Sequence, residues 1–211
     1  KARARVAILD SHLTATQPRS VAIQTGMDAL AHALESAVCS RRNAISSLYS
    51  EGAFRHLSRA IGGVIHGHST VDDRGLMQLG AALSGLAIEN SMLGAAHATA
   101  NPLTARYGVI HGYAVSLMLP HVMRFNAALP EVNAIYERYA GILREAGIST
   151  LPLIDWVVDL VAHCHIPAVK VPVADYEPLA QDAARQWTGN FNPRPLQPAD
   201  SVALYRSAFG N

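Results

Sequence analysis

The sequence predicts a mostly α-helical protein, and three observations support this fold class. Alanine and leucine are abundant, whereas aromatic residues make up only 6% of the 211 residues, a composition that favours helices over strands. Apolar residues recur at helical spacing, as in Met27, Leu30 and Leu34. Half of the residues are hydrophobic and only 16% are charged, so the chain can bury a large core.

The start of the chain is the exception to this helical pattern. Val6–Asp10 is typical of a short buried strand, but no partner strand follows it. A lone strand cannot satisfy its own backbone hydrogen-bonding groups. We therefore expect residues 1–20 to be a strand and linker left from an absent α/β domain, and residues 21–211 to be one helical domain.

Capping residues and apolar periodicity locate the first two helices. Thr25 is expected to cap a helix over residues 26–39. A second helix is expected from Asn43 to about Val64, because Leu57 and Ile61 fall on one face and a glycine-rich turn follows.

Prolines are expected to delimit the helices that follow. Asp72 or Asp73 is predicted to cap a long helix that ends near Ala100, because proline at position 102 lacks the amide hydrogen. The next helix is expected to start near His111 and to reach Leu119, before Pro120. The remaining predicted helices span residues 130–146, 151–163, 176–187 and 198–209.

Charge and apolar patterning exclude several classes of protein. The formal net charge of +1 provides no basic surface for nucleic acid. The weakly charged segment 76–119 is interrupted by asparagine and histidine, so we expect a buried helical core and not a membrane span. Cys39 and Cys164 lie far apart in the sequence and indicate no disulfide framework, as is usual in the cytoplasm.

Four polar residues in apolar surroundings are candidates for chemistry. Asp28 and His32 are four residues apart and share a helix face. A pair with this spacing is commonly an ordinary hydrogen bond, but a buried aspartate needs a partner. His97 lies near the end of the long predicted helix, and His111 opens the next one. A bend between the two helices can bring the imidazoles together, and one carboxylate with three imidazoles suits Zn²⁺ or Fe²⁺.

The other histidines carry weaker signals. His163 and His165 flank Cys164, but no further ligand is close to them in the sequence. A favourable charge at a helix end is the simpler interpretation of that segment. His66 and His68 lie in the glycine-rich turn, where we expect them to be exposed to solvent. A structural role is expected for His121.

Four segments resemble the signature regions of the iron-containing (group III) alcohol dehydrogenases. They are TGMDALAHALES, GAAHATANPLTARYGVIHG, AVSLMLPHVMRFN and NPRPLQPADSVALYRSAF. The resemblance implies the all-α, dehydroquinate-synthase-like C-terminal domain of that family, with one N-terminal strand left from its α/β domain. It also implies a site for Fe²⁺ or Zn²⁺ whose ligands are Asp28, His32, His97 and His111.

The resemblance further implies an activity that this chain supports only in part. The family transfers hydride between a small alcohol or carbonyl substrate and NAD or NADP, which an N-terminal nucleotide-binding domain holds. The Gly62-Gly63 pair follows a helix and lacks the context of a phosphate-binding loop. We therefore expect this chain to supply the metal site, to be inactive alone, and to form a homodimer or larger assembly when joined to the missing domain.

Asn101 is the one departure from the family pattern. Many members have histidine at this position, whereas an asparagine side chain cannot titrate near neutral pH. We expect Asn101 to orient the substrate and to be the one residue of this chain that can contact the cofactor. The simpler alternative is a helix-terminal residue before Pro102.

Two alternative functions are compatible with the sequence. Maleylacetate reductases share the fold and resemble the same motifs, and their dependence on metal is less clear. A non-catalytic helical fragment would bind no metal.

Overall fold

This computed structural model describes residues 6–210 of the chain. These residues contain nine α-helices and three short 3-10 helices, joined by turns and loops. The α-helices are α1 (Arg19–Val38), α2 (Ala44–His66), α3 (Val71–Asn90), α4 (Ala95–Tyr107), α5 (His111–Asn126), α6 (Pro130–Glu145), α7 (Leu153–His163), α8 (Tyr176–Ala184) and α9 (Pro198–Phe209). The 3-10 helices span Ser11–Thr14, Val173–Asp175 and Trp187–Phe191. The all-α prediction is therefore confirmed.

Helix α1 is the centre of the fold. It packs against α2, α3 and α5, and Met27, Leu30 and Leu34 on it are fully buried. A helix that is apolar on most of its sides is stable only when other helices cover it. Any polar side chain on α1 is therefore held in a defined place by its neighbours.

Local capping explains where α2 and α3 begin. The Asn43 side chain accepts hydrogen bonds from the amides of Ile45 and Ser46, as predicted for the start of α2. Helix α3 begins after Thr70, whose hydroxyl accepts from the Asp73 amide while Asp73 accepts in return. The predicted cap at Asp72 or Asp73 is thus corrected to Thr70, with Asp73 completing a capping box.

The start of α1 was predicted too late in the chain. The helix begins at Arg19 and not at Gly26, and Thr25 lies inside it. The Thr25 hydroxyl donates to the carbonyl of Val21, one turn earlier. A threonine in a helix can make this internal bond as readily as it can cap one, so its position alone did not mark the helix start.

The proline-based helix ends were also wrong. The long predicted helix is broken at 91–94, and α4 then runs from Ala95 through Pro102 to Tyr107. Helix α5 likewise continues past Pro120 to Asn126. An internal proline costs about 3 kcal/mol, but both helices bury apolar residues beyond the proline, including Leu103 and Val122. This burial outweighs the lost hydrogen bond.

The N-terminal strand is not present in the described residues. Residues 6–10 form no regular secondary structure, and Val6 and Ile8 are 77% and 85% exposed. The described residues include no second strand beside them, so no ladder of hydrogen bonds can form. Instead, the Gln78 side chain donates to the Asp10 carbonyl. Residues 1–5 of the predicted linker, and Asn211, lie outside the described residues.

Two smaller features of the described chain bear on earlier expectations. Among residues 6–210, no helix has both the length and the apolar character needed to cross a membrane. Cys39 and Cys164 are free and buried, as expected for small hydrophobic core residues.

Candidate metal centre

The four predicted ligands meet where α1, α4 and α5 converge. Asp28 and His32 lie one turn apart on α1, His97 lies in the first turn of α4, and His111 is the first residue of α5. The break at 91–94 directs the start of α4 towards α1, and the short turn after Tyr107 brings α5 back beside it.

The Asp28 carboxylate is the centre of this cluster. Its Oδ1 lies 3.2 Å from Nε2 of His97 and 3.6 Å from Nε2 of His111. Its Oδ2 lies 3.6 Å from Nε2 of His32. One ligand atom from each of Asp28, His97 and His111 falls within 4.8 Å of the others. His32 is outside that closest set, but its ring stacks on His97 with ring centroids 4.9 Å apart.

The donor set fits a borderline divalent cation. Three imidazole nitrogens and one carboxylate oxygen are ligands that Fe²⁺ and Zn²⁺ accept. The His97 side chain is buried, whereas that of His111 is 41% exposed. One side of the cluster is therefore open, as a catalytic metal site requires and a closed structural site does not.

Glu35 also belongs to this centre, although the sequence analysis did not identify it as a site residue. Its Oε2 lies 2.5 Å from Nδ1 of His97, and its Oε1 accepts a 2.7 Å hydrogen bond from the Ala96 amide. Glu35 is 4% exposed. A carboxylate on the far nitrogen of an imidazole fixes its orientation and leaves the other nitrogen free for a metal. Glu35 follows Asp28 by two turns on the same face of α1, and this spacing is the sequence pattern that could have identified it.

A second layer of hydrogen bonds holds the start of α4. The Ala95 amide donates to Oδ1 of Asn192, 3.1 Å away. Asn192 and Asn126 exchange side-chain hydrogen bonds of 2.7 and 3.0 Å, and both are buried. Because His97 is in the same helical turn as Ala95, this asparagine pair helps to fix the His97 backbone.

Neighbouring charges set the ionisation of the cluster. Burial opposes the charged form of Asp28, but the hydrogen bond and charges of the histidines lower its pKa. Burial also opposes protonation of His97, but the Glu35 charge and hydrogen bonds to both carboxylates raise its pKa to about 9. Burial lowers the pKa of His32 and of His111, against the opposing effect of Asp28. Two imidazoles therefore stay neutral near pH 7 and keep their lone pairs for a ligand.

Asn101 lies one helical turn after His97, inside α4. Its alternative interpretation as a helix-terminal residue is wrong, since α4 continues to Tyr107. Its Nδ2 donates a 2.9 Å hydrogen bond to Oε1 of Gln186. Gln186 immediately precedes Trp187, which is 60% exposed. Sequence reasoning did not identify Gln186, which is 85 positions from Asn101.

A cavity of about 320 Å³ is separate from this centre. It lies between α1, α2 and α3, and its lining includes Arg19, Arg74 and Met77 but none of the four predicted ligands. The four predicted ligands therefore do not face that cavity.

A family model matches most of the chain. Residues 22–209 match the Fe-containing alcohol dehydrogenase family, C-terminal. The 1,3-propanediol dehydrogenase of Klebsiella pneumoniae is 30% identical over 97% of this chain and 55% of its own length. The lactaldehyde reductase of Escherichia coli K12 is also 30% identical, with the same coverage. The chain therefore spans about half the length of these curated relatives.

Solved structures agree with this match. A crystal structure of a 1,3-propanediol oxidoreductase superposes with a TM-score of 0.84 at 30% identity, covering 95% of this chain and 55% of that one. An iron-containing alcohol dehydrogenase from Thermococcus thioreducens gives a TM-score of 0.84 at 27% identity, covering 98% and 55%.

Proposed function

Because the chain belongs to the iron-containing alcohol dehydrogenase family, we propose that it forms the metal- and substrate-binding half of an alcohol dehydrogenase or aldehyde reductase. The reaction is hydride transfer between a small alcohol or carbonyl compound and NAD or NADP. The observation that carries this proposal is the convergence of three imidazoles on the Asp28 carboxylate.

Asp28, His32, His97 and His111 are the proposed ligands of Fe²⁺, with Zn²⁺ as the alternative ion. A bound divalent ion supplies Lewis acidity towards the substrate oxygen. Glu35 accepts a hydrogen bond from Nδ1–H of His97, so that Nε2 faces Asp28 and the ion site. With a pKa of about 9, the metal-free His97 ring is protonated at neutral pH, and metal binding releases that proton.

Asn101 and Gln186 are proposed to orient the substrate. The hydrogen bond between them joins Nδ2 of Asn101 to Oε1 of Gln186. It does not use the amide oxygen of Asn101 or the amide nitrogen of Gln186. This pair can accept from and donate to a second hydroxyl on the substrate. Among the relatives, a 1,3-propanediol dehydrogenase and a lactaldehyde reductase are named for substrates with two oxygen functions, whereas a 1-propanol dehydrogenase and a long-chain-alcohol dehydrogenase are named for simple alcohols. The proposal of a second hydroxyl therefore rests on the Asn101–Gln186 pair.

A nucleotide-binding domain is proposed as the partner of this chain. The relatives are nearly twice as long as the matched region. The apolar side chains of Val6, Ile8 and Leu13 are exposed on the segment before α1, and such a surface suits a neighbouring domain. The substrate cleft would then lie between the two domains. A homodimer or larger assembly is part of the same proposal.

Metal content and turnover of the full-length protein test the function. We expect about one Fe or Zn per chain at the centre around Asp28, and metal-dependent oxidation of NADH or NADPH by small aldehydes. The double substitution Asp28→Ala, His97→Ala should abolish turnover and remove the ion held at Asp28, whereas Glu89→Ala, at an exposed position near the end of α3, should change neither.

Two outcomes would overturn the proposal. Reduction of maleylacetate without metal would identify the maleylacetate reductase alternative. Absence of both metal binding and turnover, after anaerobic reconstitution with Fe²⁺ and Zn²⁺, would identify a non-catalytic helical protein.

A further inference from the structure

Three histidines that are separate in the sequence form a second cluster. His66 ends α2, His68 follows it after Gly67, and His163 ends α7. The ring centroids of His66 and His163 are 5.5 Å apart, and those of His66 and His68 are 6.0 Å apart. All three side chains are exposed, and none of them takes part in the centre around Asp28.

These separations are close to those of imidazoles that share one ion. With Zn–N distances of about 2.0 Å and tetrahedral angles, the ring centres of two ligating imidazoles lie roughly 5 Å apart. The observed separations exceed this by about 1 Å or less. An ion must lie near the plane of each ring that binds it, and the His66 and His68 rings are nearly parallel. One of these exposed rings would therefore have to turn about χ2, a torsion with broad wells in histidine.

The backbone at the end of α2 positions the first two histidines. Gly67 adopts φ of 77°, a left-handed conformation that ends the helix and that glycine adopts without strain. This turn places His66 and His68 with nearly parallel rings, 5° apart. The C-terminus of α7 ends beside them, and the carbonyl ends of both helices carry partial negative charge that favours a cation.

His163 is already held in a tautomer that leaves one nitrogen free. Its Nδ1 lies 2.8 Å from the backbone carbonyl of Asp159. A carbonyl can only accept, so Nδ1 carries the proton and Nε2 carries the lone pair in the neutral ring. The Asp159 carboxylate is also near, 3.6 Å from Nδ1. A histidine that binds a metal through one ring nitrogen typically donates a hydrogen bond from the other to a carbonyl or carboxylate in this way.

The residues around the cluster decide which ions fit. The Arg19 guanidinium packs at Gly67 and donates to the Ile65 carbonyl, so a positive charge lies beside the site. Binding must therefore come from coordination by imidazole more than from charge attraction. Zn²⁺, Ni²⁺ and Cu²⁺ favour imidazole, whereas Mg²⁺ and Ca²⁺ favour oxygen ligands.

We propose that His66, His68 and His163 form a second metal site, selective for Zn²⁺, Ni²⁺ or Cu²⁺, that links the C-terminus of α2 to that of α7. The site is independent of the proposed catalytic centre. An ion bound there would join two helices that are distant in sequence and would stabilise the folded chain by binding only its folded form.

Zinc titration of the metal-free chain tests this site. Isothermal calorimetry with parallel elemental analysis should find two Zn²⁺ per wild-type chain and one in the His66→Gln, His163→Gln variant. Because both positions are exposed, the variant should keep its fold, which circular dichroism checks. The matched control His12→Gln replaces an exposed histidine outside the cluster and should still bind two ions. Wild-type stoichiometry and affinity in the His66→Gln, His163→Gln variant would overturn the inference.

A second variant separates this site from the proposed catalytic centre. Asp28→Ala, His97→Ala should keep one Zn²⁺, and further replacement of His66 and His163 should remove it. With Cu²⁺ in that background, electron paramagnetic resonance should show coupling to imidazole nitrogen that disappears with the last two substitutions. If wild type binds one ion that only the Asp28→Ala, His97→Ala change removes, the second site is wrong and the catalytic centre stands. If instead only the His66→Gln, His163→Gln change removes that ion, the second site stands and the proposed catalytic centre is wrong.

Discussion

At the scale of single residues, Glu35 governs the state of His97. The two side chains are buried together and joined by a 2.5 Å hydrogen bond. The same carboxylate accepts from the Ala96 amide, so it fixes both the imidazole and the backbone that carries it. A single residue outside the four predicted ligands thereby determines which imidazole nitrogen faces Asp28.

Substitution of Glu35 by glutamine tests this role. The amide keeps the size of the side chain but loses the charge that orients and polarises the His97 ring. We expect metal affinity to fall about 10- to 100-fold, measured by competition with a chelator of known affinity. Glu89→Gln, at an exposed position, is the control and should bind normally. Unchanged affinity in the Glu35→Gln protein would contradict the positioning role.

The Asn101–Gln186 pair makes a second prediction at this scale. If the proposed substrate contacts hold, Asn101→Ala or Gln186→Ala in the full-length protein should lower kcat/KM for 1,3-propanediol by about three- to tenfold, the value of one neutral hydrogen bond. Activity with 1-propanol, which lacks the second hydroxyl, should change less. The double substitution should cost less than the sum of the singles, because the two amides act as one unit.

The control for this pair is Gln181→Ala, an exposed glutamine on α8, which should leave both substrates unaffected. An equal loss with the diol and the simple alcohol would argue against recognition of the second hydroxyl.

At the scale of helices, the proposed metal centre depends on how closely α5 approaches α1. Gly112 follows His111, and a Cβ atom at Gly112 would lie 2.1 Å from the carbonyl oxygen of Gln24 on α1. Only glycine allows this distance between the two backbones. The contact brings the start of α5, and therefore His111, within reach of Asp28.

Gly112→Ala should therefore push α5 away from α1. We expect a loss of about 1–3 kcal/mol in the free energy of unfolding, as for other overpacked sites, together with weaker metal binding. Urea denaturation and metal titration measure the two effects. Gly62→Ala is the matched control, because nothing lies within 4 Å of its added Cβ. It should be neutral or stabilising by up to about 1 kcal/mol. Equal stability of the two variants would show that the contact is not limiting.

At the scale of the whole molecule, the proposed metal centre connects three helices that meet only in the folded state. Asp28, His97 and His111 come from α1, α4 and α5, and the unfolded chain holds no such arrangement. A bound ion should therefore stabilise the fold by mass action, in addition to any part it has in the chemistry.

Metal removal should lower the melting temperature. Free metal at 100 times Kd contributes about 2.7 kcal/mol, which for a chain of this size corresponds to a shift of roughly 5–10 °C. Differential scanning calorimetry with and without a chelator measures it in the His66→Gln, His163→Gln background, which isolates the first centre. The shift should vanish when Asp28→Ala and His97→Ala are added. A shift that persists there would place the stabilising ion elsewhere.

The sequence alone determined the fold class and most of the helices. Apolar periodicity and capping located α2 and α9 to within two residues, because these signals are local. The resemblance of four segments to a known family identified Asp28, His32, His97 and His111 as candidate ligands, and the structure places them together. Their role as metal ligands stays a prediction.

Only the tertiary structure decided how α4 and α5 pass their prolines and which residues support the site. Burial of Leu103 and Val122 outweighs a local proline penalty that the sequence shows plainly. Glu35 meets His97 across 62 positions and Gln186 meets Asn101 across 85, while His66 meets His163 at the far ends of α2 and α7. Such contacts follow from the packing of whole helices, whereas local sequence patterns reach only a few turns along one helix.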